Sequence, residues 1–246
     1  MRTLVYFVLL VILAIFLIPV LLFCLLTKLS QPIIFFGKQG IRLGQKILGV
    51  KLDVRGVEKI DQDSAYIFMA NHTSFIDGPL LFMLIPQPIR VLLKKEAFRI
   101  PVIGLSMKHV GFVPVDRKGL KGGKQSIEKA SRLMIEKRYS FLIFPEGTRS
   151  RDGQLQPFKR GGFFLAVNTQ APILPITIGG TFELMPRGSF FVKRGKIKVI
   201  FHEPVEMKGH DRGSILEISS KVRGVIQSGL RNGEKHELSE PSPSIR

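Results

Sequence analysis

The sequence predicts an α/β fold: a single-domain αβ sandwich with a central mostly parallel or mixed sheet, preceded by an N-terminal membrane-associated helical segment. Three observations carry this reading. Leu4 to Leu26 is a run of 23 residues without a charge, enough for a helix to cross a hydrocarbon layer. From Val50 onward, short apolar runs of strand length alternate with longer amphipathic stretches. The most chemically loaded residues, His72, Asp116 and Glu146, each come just after an apolar run, where α/β sheets gather reactive loops.

The elements follow in order. The opening apolar run contains Pro19, a candidate bend. Cleavage as a signal peptide is disfavoured, because the run is long, lacks a small-x-small pattern, and places Phe23 before Cys24 where a lipoprotein site wants a small residue. Between Pro32 and Val50, Lys38, Arg42 and Lys46 recur every four residues on one helical face. Ile33, Ile34, Ile41, Ile47 and Leu48 are apolar, and Gly37, Gly40 and Gly44 permit close packing. This reads as an interfacial helix, and the two helices together as a hairpin embedded in one leaflet, with a single transmembrane helix as the alternative. Residues 1–50 are therefore membrane-anchoring helices, 51–230 the folded domain, and 231–246, with Ser, Pro and Glu, a disordered tail. Strands are predicted at Tyr66 to Met69, Arg90 to Leu93, Phe112 to Val115, Phe141 to Phe144 and Ile173 to Ile178. Helices are predicted at Gly78 to Ile85, Lys121 to Lys137 and Gly161 to Asn168, with Ile127, Ala130, Leu133 and Met134 forming the buried face of the second. Ser189 to Val192 and Lys196 to Phe201, joined by Arg194-Gly195, look like a hairpin, and Ser214 to Leu230 a final outer helix.

The formal charge is +18, of which +17 lies on residues 27–230. Such a field attracts nucleic acid, an anionic membrane or a phosphorylated substrate, and the apolar N-terminus selects the membrane. Cys24 is the sole cysteine, so no intramolecular disulfide forms. His109, His202, His210 and His236 have no metal-ligand spacing, and no phosphate-binding Gly-x4-Gly-Lys loop occurs. A Gly-x-Ser-x-Gly elbow is absent too, which argues against a serine acyl-enzyme.

Asn71-His72-Thr73-Ser74-Phe75-Ile76-Asp77 sets a histidine five residues before a carboxylate. On one helix the two side chains would point about 140° apart, so they meet only if His72 lies in a turn and Asp77 opens the next helix. Asp77 is a good N-cap, Pro79 fits a first turn, and Leu80 to Ile85 supplies the helix body. Taken alone, the pair is equally a loop histidine and a helix cap; as chemistry, it is a general base and its orienter. In Phe144-Pro145-Glu146-Gly147-Thr148-Arg149-Ser150, Pro145 ends the strand and Gly147 lets a ligand approach the backbone. Thr148 offers a hydroxyl, and Arg149 offers a planar fork for phosphate oxygens or is a solvated cation.

Four blocks occur in one order: His72 to Asp77, the stretch ending Asp116-Arg117, Glu146 to Arg149, and Ala171-Pro172-Ile173-Leu174-Pro175-Ile176. With Phe158-Lys159-Arg160-Gly161 and Lys94-Lys95-Glu96 beside them, the chain resembles the glycerolipid acyltransferase family from about Asp53 to Pro204, on the side of the bacterial 1-acylglycerol-3-phosphate acyltransferases. The resemblance implies His72 and Asp77 as the catalytic pair, and Arg117, Glu146, Gly147, Thr148, Arg149 and Lys159 as substrate-binding residues. Glu146 would order Arg149 or bind glycerol oxygens. No metal or cofactor is implied; acyl-CoA or acyl carrier protein is the co-substrate and lysophosphatidate the acceptor, at the cytoplasmic face of an anionic membrane, with no nucleic-acid partner. The alternatives are acylation of glycerol 3-phosphate or another lysolipid, and a non-catalytic basic protein that binds membranes or nucleic acid.

Overall fold

A computed structural model of the chain describes residues 2–116 and 120–239. Two helices come first, α1 (Arg2–Thr27) and α2 (Gln31–Leu48), and α1 packs on α2. The domain then runs β1 (Val50–Arg55), β2 (Ile67–Ala70), α3 (Asp77–Leu84), β3 (Ile89–Lys94), α4 (Ile103–His109), β4 (Val113–Val115) and α5 (Leu120–Lys137). It continues through β5 (Ser140–Ile143), α6 (Gly161–Thr169), β6 (Ile173–Gly179), α7 (Thr181–Leu184), β7 (Gly195–Phe201) and α8 (Ile215–Ser239). The seven strands form one sheet in the order β1-β7-β6-β2-β5-β3-β4, parallel at every pairing except β6 with β7.

Alternation along the central strands divides the interior in two. Phe68 and Ala70 of β2 face a core built with α3, through Leu80, Leu81, Met83 and Ile85. Ile67 and Met69 face the other side, against α5, α6 and α8, where Met134, Phe163 and Val222 are buried. Because both faces are covered, β2 and β5 are buried at every residue, which explains why they are apolar throughout except for Ser140, whose hydroxyl donates to Gln87 Oε1 at 2.8 Å.

The predicted strands and helices fall within a residue or two of their expected places, and four differences have physical causes. β1 went unforeseen because strands were read from uninterrupted apolar runs, whereas β1 alternates Lys51, Asp53 and Arg55 with apolar residues, the pattern of an edge strand, and Asp53 there pairs with Arg55 and Lys196. The expected Ser189-to-Val192 hairpin arm is a loop; β7 instead lies between β1 and β6, long-range pairings that no local turn signal encodes. α4 was missed because Pro101 and Gly104 punctuate its start, yet Gly104 approaches the Phe98 carbonyl too closely for any side chain. α8 continues as helix to Ser239, into the segment expected to be disordered from 231, and 240–246 lie outside the described residues.

At the N-terminus, α1 runs through Pro19 and exposes Leu4, Val8, Val11 and Ile15 among others. Among the described residues no helix is long and apolar enough to cross a membrane, so the anchoring expected of residues 1–50 is a matter for function rather than fold. α2 is amphipathic and ends where Gly49 takes a left-handed φ of 71° and returns its N–H to Gln45 and Lys46. Its expected basic stripe is incomplete: Lys38 turns inward and donates to the Ile85 carbonyl at 2.7 Å, closing off the end of α3. His109 in α4 likewise bonds the Leu29 carbonyl between α1 and α2 at 2.9 Å and Gln45 of α2 donates to the Val50 carbonyl of β1, so side-chain bonds at three places fix the helical pair to the domain.

Just past β2, the side chain of Asn71 behaves as a peptide unit. Its Nδ2 donates to the Ile178 carbonyl and its Oδ1 accepts from the Ile178 N–H, both at 2.8 Å, prolonging the β2–β6 ladder toward His72. Asn71→Asp keeps the shape but loses the donor and sets a carboxylate against a buried carbonyl. It is expected to cost about 2 kcal/mol or more, lowering the melting temperature by roughly 5 °C; thermal unfolding in detergent would check this.

Candidate active site

The parallel strands β2, β5 and β4 all deliver their following loops to one sheet edge, the carboxyl ends of the strands. β2 and β5 are neighbours, so the loop of His72 lies directly beside the loop of Glu146. β4 is three strands from β2, which puts Asp116 on the order of 14 Å to the side at ~4.8 Å per strand. There Asp116 accepts a 2.5 Å hydrogen bond from Lys95. Arg117 lies outside the described residues.

The stretch from His72 to Asp77 is a turn closed on a single atom. Asp77 Oδ2 accepts from His72 Nδ1 at 2.9 Å and from the N–H groups of Thr73 and Ser74 at 2.8 Å each. Asp77 is completely buried, in the first turn of α3, where the helix N-terminus favours its charge. Carboxylate oxygens accept and do not donate, so the short Nδ1 contact places the imidazole proton on Nδ1 and leaves the Nε2 lone pair free. The geometry required for the pair is present: turn, then helix, with the two side chains joined. The remaining local bonds seat the turn, since Thr73 and Thr181 share a hydroxyl–hydroxyl bond at 2.9 Å and Ser74 Oγ donates to the Met185 carbonyl at 2.7 Å. The imidazole stacks on Phe144, centroids 4.0 Å apart and planes at 20°. Phe144 was read from sequence only as the last residue of a strand; its place before Pro145 gave no sign that it would floor the histidine.

Glu146 corrects an expectation. Its carboxylate neither orders Arg149 nor stands open to glycerol oxygens: Oε1 accepts from the His72 backbone N–H at 2.6 Å and Oε2 from that of Gln156 at 3.0 Å, in a residue only 2% exposed. Glu146 is thus a positioning residue that splices the two loops, helped by Ser150, whose N–H reaches the His72 carbonyl at 2.8 Å. Burial pushes its carboxyl up to about 7, the two backbone donors pull against this, and the nearby Asp77 adds to the rise.

The other residues of this block part company. Gly147 takes a φ of 72°, and the Lys159 stem lies across it where a side chain would stand. Both line a cavity of about 1400 Å³ together with His72, Arg149, Arg160 and Arg212. Its walls are mainly apolar and include Leu21 of α1, Ile34 of α2, Phe82 of α3 and Met107 of α4, with residues of the strands, α5 and α6 completing them. The guanidinium carbon of Arg149 lies 5.9 Å from the centroid of the Phe75 ring, within the same cavity lining as His72. Thr148 faces away from this cavity, into a separate polar hollow shared with Arg151, Gln156 and Arg187. The structure therefore gathers His72, Asp77, Gly147, Arg149 and Lys159, puts Glu146 beneath them, and sets Thr148 apart.

Two expectations follow. In Asp77→Asn the amide cannot accept all three bonds on one oxygen and favours the wrong imidazole tautomer; turnover should fall by about a thousandfold or more, read from initial rates. Because folded Glu146 titrates near 7 against 4.5 for the free group, its protonated form contributes stability fully below about pH 4.5, and this is lost as pH rises through about 7. Wild type should therefore lose stability relative to Glu146→Gln between those pH values, seen as a shrinking difference in melting temperature.

Residues 51–179 match the acyltransferase family. The chain is 38% identical over 157 residues to a chloroplastic 1-acyl-sn-glycerol-3-phosphate acyltransferase of Brassica napus, covering 63% of this chain and 45% of that protein. It spans a little under half the length of this relative and of the similar Arabidopsis thaliana protein, 45% and 44%. A 1-acyl-sn-glycerol-3-phosphate acyltransferase of Borreliella burgdorferi is 31% identical over 194 residues, 78% of this chain and 73% of that protein. In three dimensions the chain is similar to the crystal structure of the 1-acyl-sn-glycerophosphate (LPA) acyltransferase PlsC from Thermotoga maritima, with a TM-score of 0.81 and 26% identity, covering 98% of this chain and 97% of that one. By the residues matched and by this fold, the chain belongs to the acyltransferase family, alongside the 1-acyl-sn-glycerol-3-phosphate acyltransferases.

Proposed function

We propose that the protein transfers an acyl chain from a thioester, acyl-CoA or acyl carrier protein, to the free glycerol hydroxyl of lysophosphatidate, giving phosphatidate for phospholipid synthesis. The observation that carries this is the His72–Asp77 pair on the wall of a large apolar cavity with arginine and lysine at the same opening. An acyl chain needs apolar walls, a phosphate needs cations, and a hydroxyl needs a base between them. His72 Nε2 takes the proton of the hydroxyl as its oxygen attacks the thioester carbonyl. The resulting imidazolium is stabilised by Asp77 and returns the proton to the departing thiolate, so the histidine is regenerated. Arg149 and Lys159 hold the acceptor phosphate, with Arg117 as a further ligand. The names of the relatives favour lysophosphatidate over glycerol 3-phosphate as acceptor.

α1 and α2 embed the enzyme in one leaflet on the cytoplasmic side. This is supported by the exposed apolar residues of α1, the outward Arg42 and Lys46 of α2, and the side-chain bonds that fix α2 and the linker before it to the domain. A cavity walled partly by these helices lets an acyl chain move from bilayer to base without crossing water.

The direct test is thiol release and phosphatidate formation by purified protein in micelles. Release should require lysophosphatidate, and His72→Ala should reduce it by on the order of a hundredfold or more with the melting curve unchanged. Near-normal turnover in the mutant would contradict the mechanism. Arg149→Ala is expected to raise KM for lysophosphatidate by roughly tenfold or more, as loss of a charge-assisted phosphate contact does, while KM for the donor changes little; a panel of acceptors run alongside separates the lysolipids.

A further inference from the structure

The loop between α7 and β7, residues 185–194, presents two phenylalanines to solvent: Phe190 is 75% exposed and Phe191 67%. These are not the side chains of a slack segment. The base of the loop is closed by Lys193 N–H on the Leu184 carbonyl at 2.9 Å, and its turn by Ser189 N–H on the Pro186 carbonyl at 3.0 Å. Ser189 Oγ donates to the Phe191 carbonyl at 2.9 Å and accepts from the Phe191 N–H at 3.1 Å. Four hydrogen bonds hold two large apolar rings outward, an arrangement that water penalises unless something apolar receives them.

Charge and position identify the receiver. Residues 185–194 contain Arg187, Lys193 and Arg194 and no acidic residue. Aromatic rings at a loop tip with cations at its flanks match the cross-section of an anionic bilayer, rings at the acyl boundary and cations at the head groups. The loop also adjoins the helices assigned to the membrane. Phe190 and Val192 line the same cavity as Leu21 of α1 and Ile34 of α2, and a Cβ built on Gly49, the residue ending α2, would lie 3.2 Å from Cγ of Arg194. A second tie runs to the site, where Arg187 donates to the Arg149 carbonyl at 3.3 Å.

We propose that the Phe190–Phe191 loop is a second membrane contact, which inserts its rings into the leaflet that holds α1 and α2 and sets the cavity opening at head-group depth. Resting on the N-terminal membrane reading above, this gives the enzyme two contacts with the bilayer, one from the helical pair and one from the loop beside Arg149. Lysophosphatidate then reaches His72 by lateral movement, with its phosphate kept at the level of Arg149.

The chain contains no tryptophan, so one introduced residue reports one position. The full-length protein carrying Phe191→Trp is bound to vesicles of phosphatidylcholine with about one-third phosphatidylglycerol, an anionic surface of the kind that attracts basic segments. A matched protein carries Leu216→Trp, which is exposed at the start of α8. In protein that floats with the vesicles, the tryptophan at 191 should shift to the blue, resist iodide, and lose emission when the lipid chains carry bromine. The tryptophan at 216 should do none of these. A floating protein whose residue 191 stays iodide-accessible and blind to bromolipid would overturn the loop contact alone. A response at 191 to soluble acyl carrier protein but not to vesicles would overturn it too, in favour of a donor-docking loop. Failure to float would overturn the N-terminal reading together with this one, whereas acyl-transfer activity stands on the separate assay above.

Discussion

Asp77 Oδ2 is the atom on which the site is built. One buried oxygen gathers the imidazole Nδ1 of His72 and two successive backbone N–H groups, so a single carboxylate sets both the path of the turn and the orientation of the ring. The other oxygen, Oδ1, is buried with no hydrogen-bond partner among the described residues. An unsatisfied buried acceptor costs about 1–3 kcal/mol, and the α3 N-terminus and the three bonds on Oδ2 offset that cost. The expense has a catalytic use, because an unshielded carboxylate is most effective against an imidazolium that forms beside it.

Around that atom the sheet supplies alignment. β2 and β5 are adjacent and parallel, so their loops leave the same edge side by side, and Glu146 ties the second to the first through backbone N–H groups alone. The two acidic residues of the site thus do different work. Asp77 touches the reacting ring, whereas Glu146 accepts from the peptide N–H groups of His72 and Gln156 and sits deep enough for burial to raise its pKa. Asn71 extends the same principle to β6, replacing a strand peptide with a side chain where the backbone must turn away.

Sequence reading was strongest where local chemistry decides structure. His72 and Asp77 could be paired in advance because Pro79 and the apolar run to Ile85 allow a helix opening at Asp77, and because the other blocks of the chain carry the family resemblance. The central strands announced themselves by their apolar runs, Ile67 to Ala70, Phe141 to Ile143 and Ile173 to Ile176. It failed where partners are distant in the chain. Ser189 to Val192 looked like a strand on local pattern, yet β7 finds its neighbours in β1 and β6. Glu146 was given to the substrate by the family resemblance, and only the fold shows both its oxygens accepting from peptide N–H groups. Lys38 was counted in an outward stripe by its fourfold spacing, but periodicity cannot show that α3 ends within its reach. The shape of the cavity was invisible for the same reason, since its walls come from elements and loops spread along the chain from α1 to β7.

The functional reading depends on His72 offering a free Nε2 while its Nδ1–H is held by Asp77. The most direct measurement is the tautomer of that ring, by NMR of protein carrying nitrogen-15 histidine in micelles, with the His72 signal assigned by its loss in a His72 substitution. The account predicts, in the neutral form, a protonated Nδ1 in a strong hydrogen bond and an unprotonated Nε2. A neutral ring with its proton on Nε2 would contradict it, because that nitrogen could then take no proton from an acceptor hydroxyl.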